Sequence, residues 1–70
     1  MALAMVGIGE TRTITELRVK EEMKRHLQDL GFTVGEKVYV AGENSSGLIL
    51  KIKGARIALN RGLATKISVA

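Results

Sequence analysis

The chain has no cysteine, no proline and no tryptophan, and only one phenylalanine, one tyrosine and one histidine in 70 residues. Without cysteine there is no disulfide, zinc–thiolate centre or iron–sulfur cluster within these residues. Nothing therefore argues for an oxidising compartment. No stretch reaches the ~18 consecutive apolar residues that a membrane span needs. The apolar opening Met1-Ala2-Leu3-Ala4-Met5-Val6 lacks the basic flank of a signal peptide. It is expected to pack on the domain as a hydrophobic edge. These absences predict a cytoplasmic location without membrane insertion. The length predicts one domain over residues 1–70 with a small core and modest stability.

Catalytic groups are equally sparse. The lone His26 has no serine nearby and no cysteine anywhere, so no nucleophile–base pair can be read from spacing. Gly7-Ile8-Gly9 lacks the remainder of a dinucleotide or P-loop signature and reads as a turn. A non-enzymatic protein without a cofactor is expected. Glu22, His26 and Asp29 are spaced i, i+4, i+7, which aligns them on one helix face. One imidazole and two carboxylates are the weak candidates for a divalent ion. Lys24 and Arg25 supply ordinary ion-pair partners beside them, so the expectation is a solvated helix face and no metal site.

Acid is also missing from the last third of the chain. All seven carboxylates lie at or before Glu43, and Lys51, Lys53, Arg56, Arg61 and Lys66 follow without one, within a net charge of +4. A field of one sign favours an acidic partner. Nucleic acid would need stacking aromatics, and only Phe32 and Tyr39 exist, so no nucleic-acid partner is expected.

What is present is a run of short elements punctuated by glycine. A strand is expected over 11–18, where Ile14 and Leu17 lie three apart. Strict alternation would put them on opposite faces, which predicts a bulge between them. Val19, Met23, Leu27 and Leu30 form one helical stripe, with Glu21 and Glu22 in the first turn and no good N-cap residue before them. Gly31 falls where a helix needs a left-handed residue, and Phe32 can fold back on Leu27 as a Schellman cap. A second strand is expected over 36–41 and a polar loop over 42–47. Leu48, Leu50 and Ile52 alternate as a third strand. Gly54-Ala55 suits a type II′ hairpin turn, pairing Lys53 with Arg56, Ile52 with Ile57 and Leu50 with Leu59. A single helical turn over 60–64 and a last strand at Ile67 and Val69 complete the order.

Five short strands bury a core best by curling into a small barrel, with the helix between the first two strands plugging one end. The expected core is Ile14, Leu17, Met23, Leu27, Leu30, Val38, Val40, Leu50, Ile52, Ile57, Leu59 and Ile67. The expected partner-binding surface is Lys51, Lys53 and Arg56 at the hairpin tip, with Glu43 and Asn44 from the polar loop adjoining it.

The ordered set of the helix end from Leu27 to Gly35, the segment from Gly54 to Leu59, and Ala64, Ile67 and Val69 resembles the ferrous iron transport protein A (FeoA) family. Val34 departs from the family's frequent proline before the glycine. The resemblance implies a mainly β, five-stranded barrel of the Src-homology-3 type with one inserted helix. It also implies a free-standing cytosolic accessory of the ferrous iron permease FeoB, which acts by protein–protein interaction. The same barrel occurs in metal-dependent repressors, so a metal-responsive regulatory domain that binds a transition metal stays open. So do a nucleic-acid-binding barrel and weak self-association.

Overall fold

The structure is a computed structural model describing residues 1–70. A 3-10 turn at Leu3–Met5 precedes β1 (Thr11–Leu17), α1 (Glu21–Asp29), β2 (Lys37–Asn44), β3 (Gly47–Ile52), β4 (Ala55–Asn60), α2 (Arg61–Ala64) and β5 (Ile67–Val69). The strands form one antiparallel sheet in the order β4-β3-β2-β1-β5.

The expected bulge is present. β1 pairs with β5 at Ile14–Val69, slips by one residue, and resumes at Glu16–Ser68 and Leu17–Ile67. The slip returns Leu17 to the inner face, so both Ile14 and Leu17 are buried. The same strand pairs through residues 11–13 with β2, so it joins β5 to the rest of the sheet.

Helix α1 ends as its residues dictate. Gly31 has φ +109°, and its N–H donates to the Gln28 carbonyl at 3.0 Å. The Phe32 N–H donates to the Leu27 carbonyl at 2.9 Å, completing a Schellman motif. Phe32 and Leu27 are both fully buried. At the other end, Lys20 is the N-cap and its side chain makes no capping bond.

The core holds Leu3, Val6, Ile14, Leu17, Leu27, Phe32, Val38, Val40, Leu48, Leu50, Ile52, Leu59, Ala64, Ile67 and Val69. Met23 and Ile57 are only half-buried against it. Leu30 was expected inside but is exposed, because it is the C-cap where the chain reverses and Phe32 takes the inward place. Leu3 and Val6 seat the apolar opening on the domain, as expected.

Three local expectations are corrected. The sheet does not close into a barrel, since β4 and β5 share no hydrogen bonds. Helix α2 and the 3-10 turn meet each other at that seam, α2 lying against β4 and the turn against β5. Residues 42–47 are not a loop. A bulge at Ala41 lets β2 continue to Asn44, and the turn shrinks to Ser45-Ser46. The Asn44 Oδ1 accepts from the N–H groups of Ser46 (2.8 Å) and Gly47 (3.0 Å), which closes the turn locally.

The third correction is the β3–β4 register. The turn residues are Lys53 and Gly54, with φ of +51° and +78°, the signs of a type I′ turn. The facing pairs are Ile52–Ala55, Lys51–Arg56, Leu50–Ile57 and Leu48–Leu59. Moving the turn back by one residue keeps every side chain on its expected face, because each strand slides by a full side-chain repeat relative to its partner.

Candidate functional site

The alternation that buries Leu48, Leu50 and Ile52 turns Lys51 outward, and on β4 it turns Arg56 and Ala58 outward. Tyr39, Lys51 and Arg56 then face one another in a row across β2, β3 and β4. The Lys51 Nζ lies 6.0 Å from the Tyr39 ring centroid, at the outer limit of a cation–π contact. Neither Lys51 nor Arg56 is in an ion pair, so both charges are offered to solvent. Their direct opposition mildly disfavours the hairpin.

Lys53 sits at the tip beside this row. Its Nζ approaches the Glu36 carboxylate at 3.7 Å, a loose pair whose lysine is more than half exposed. Its Cδ lies 3.7 Å from the point where a side chain on Gly31 would begin, so the stem runs over the end of α1. The more telling feature is its backbone. Lys53 is the one non-glycine residue in the chain with positive φ.

Glu43 and Asn44 do not adjoin this cluster. They stand at the opposite end of β3, about 15–20 Å from the hairpin tip at the usual rise of a strand. There Glu43 pairs with Arg61 at 2.8 Å, and Asn44 holds the turn. The structure thus unites Lys51, Lys53 and Arg56 and separates Glu43 and Asn44 from them.

That far end carries a feature the sequence reading missed. A shallow groove of about 300 Å³ is lined by Asn44, Ser46, Gly47, Leu48, Ala58, Leu59 and Asn60. Gly47 lets β3 and β4 approach closely beside it. A Cβ at that position would collide with the Leu59 carbonyl oxygen and come within 2.8 Å of the Asn60 Cα. Asn60 caps α2, its Oδ1 accepting from the Leu63 N–H at 2.8 Å. An asparagine before Arg-Gly-Leu-Ala was the available signal for the cap. No signal announced the groove, since it depends on how closely β3 and β4 approach.

Glu22, His26 and Asp29 are all exposed on α1. Nowhere do three His, Asp or Glu side chains converge as a metal ion would require. No helix is long and apolar enough to cross a membrane.

A mainly β, five-stranded antiparallel sheet with one inserted helix defines a small domain of the Src-homology-3 type. This assignment agrees with a crystal structure of Stenotrophomonas maltophilia FeoA complexed with zinc and described as a prokaryotic SH3 domain protein. That structure aligns with a TM-score of 0.80 at 24% identity, covering 100% of this chain and 89% of that one. A crystal structure of an iron uptake regulatory protein (FeoA) aligns with a TM-score of 0.90 at 23% identity, covering 99% of this chain and 93% of that one. The FeoA domain family model matches residues 1–70. A Methanocaldococcus jannaschii protein named "Putative Fe(2+) transport protein A" is 31% identical over 67 residues, covering 96% of this chain and 82% of that protein. The chain belongs to the FeoA domain family.

Proposed function

We propose that this chain is a single-domain cytosolic accessory of ferrous iron uptake that acts by docking on the cytosolic part of a FeoB-type permease, not by catalysis. Its membership of the FeoA family and the 31% identical archaeal relative named for Fe(2+) transport support the process. The observation that carries the docking surface is Lys53. A lysine in the left-handed region costs roughly 1–2 kcal/mol where glycine or asparagine would be relaxed. Strain of this kind is retained where the side chain is needed. Lys53 holds the tip of the exposed hairpin whose next residues outward are Lys51 and Arg56.

The test reverses Lys51 and Arg56 together to Glu. The double variant keeps like charges opposite each other, so the hairpin is perturbed little. It should lose capture of the permease while its unfolding transition stays in place. The matched reversal of Lys24 and Arg25 on α1 should leave capture intact. Loss of capture by the α1 variant alone would place the docking surface on the helix side and refute the assignment.

A further inference from the structure

We propose that the free edge of β4 receives an extended acidic segment of a partner as an added strand, with an apolar side chain of that segment seated in the Asn44–Asn60 groove. The inference rests on the reading of the β3–β4 face as a docking surface and adds how the partner is held there.

The sheet has two edges, and they are treated differently. The edge at β5 is covered, because the Val69 N–H donates to the Met1 carbonyl at 2.7 Å and Ala2 bridges to Ser68. The edge at β4 is not. A two-residue turn makes Ile52–Ala55 the hydrogen-bonded closing pair, so Ala55, Ile57 and Leu59 exchange their bonds with β3. The N–H and C=O groups of Arg56 and Ala58 therefore point off the sheet. No backbone hydrogen bond formed outside the strands and helices reaches either residue. Helix α2 lies against β4, where Ala55, Arg56 and Ala58 remain exposed.

Edges are usually guarded by proline, an inward-pointing charge or a covering element. Here there is no proline, and the one charge on β4, Arg56, points outward. Beside Arg56 stands Lys51, also without an ion-pair partner. An added strand with acidic residues at alternate positions would lay them along this pair. Beyond that pair, the segment would carry an apolar side chain to the groove lined by Gly47, Leu48, Ala58 and Leu59 at the far end of β4. Charge selects this occupant over a second copy of the chain. Two copies would bring together two molecules of net charge +4, each with Lys51 and Arg56 at the seam.

The probe is an end-blocked, fluorescein-labelled peptide of alternating glutamate and valine, long enough to span Ala55–Asn60. Fluorescence anisotropy measures its binding to the full chain, and amide hydrogen exchange locates it. The expected result is saturable binding that slows exchange at Arg56 and Ala58. A lysine–valine peptide should not bind. Ala58→Pro removes an N–H that faces solvent and leaves the ladder to β3 intact, and it should weaken binding at least tenfold. N-methylation of the peptide on its pairing edge should do the same without touching the protein, which covers a variant that folds poorly.

The outcomes separate the two readings. If reversal of Lys51 and Arg56 abolishes binding while Ala58→Pro and N-methylation do not, the docking face stands and strand addition is overturned. Absence of binding by the acidic peptide overturns strand addition as well. A dimer in sedimentation that Ala58→Pro dissolves would assign the edge to a second copy, contrary to the proposal.

Discussion

At the scale of single residues, two backbone positions decide how the hairpins are built. Lys53 adopts φ +51° in a turn whose first position favours asparagine or glycine. Lys53→Asn should therefore raise stability by about 1 kcal/mol in chemical denaturation, because asparagine visits the left-handed region more readily. The loose pair with Glu36 offsets little of this gain, since exposed ion pairs contribute ~0–1 kcal/mol. The same variant should bind the permease more weakly if the strain is retained for the charge. Unchanged or lower stability would show that the tip is not strained and would remove the main support for the docking surface. Gly47 is the opposite case. It is fully enclosed by β4 backbone rather than bent into an unusual conformation. Gly47→Ala should cost ~1–3 kcal/mol through overpacking against groups that cannot swing away. Nothing in the sequence marked this glycine as different from Gly42, which has open space around it. Close approach of the far end of the paired strand leaves no local trace.

Among the elements, what could be read early was what is local. The Schellman cap at Gly31, the bulge between Ile14 and Leu17, and the missing N-cap at Lys20 each follow from a few neighbouring residues, and each is present. The β3–β4 register was harder because the hydrophobic pattern constrains only which face a residue occupies. Turns at Gly54-Ala55 and at Lys53-Gly54 both keep Leu48, Leu50, Ile52 and Leu59 inside. Residues 42–44 read as a loop because glycine, glutamate and asparagine have low strand propensity. Pairing with β3 after the Ala41 bulge overrides it. Two element-level predictions follow from these packings. Lys20→Asp places an acceptor at the N-cap and a negative charge at the helix start, so it should stabilise the domain by ~1 kcal/mol. Leu50 is fully buried in the middle of β3, and Leu50→Ala should cost ~2–5 kcal/mol. That is a large share of the 5–15 kcal/mol typical of a domain. A loss near that of a surface change, below ~0.5 kcal/mol, would mean that β3 is wrongly placed.

For the whole molecule, charge and topology act together. The acid-free stretch after Glu43 was legible as a basic field, but its shape was not. Folding sorts the five cations of that stretch. Arg61 is neutralised by Glu43, and Lys53 leans on Glu36, while Lys66 is unpaired near β5 and Lys51 and Arg56 remain unpaired together on the outer face of β3 and β4. Under the proposed function, the acidic partner would meet the face and edge formed by β3 and β4. Exposed charges attract over about one Debye length, ~10 Å at 0.1 M salt. Steering of this kind raises the association rate and affects dissociation much less. Interferometry on the immobilised cytosolic part of the permease should show association slowing as salt rises from ~0.05 to ~0.2 M, with dissociation nearly constant. Reversing Lys51 and Arg56 should flatten that dependence, because the attracting charges are gone. Reversing Lys24 and Arg25 should leave the slope as it is, since those residues belong to α1 and not to the β3–β4 face. A slope that survives the first reversal and vanishes with the second would mean that the helix, not the hairpin, meets the acidic partner.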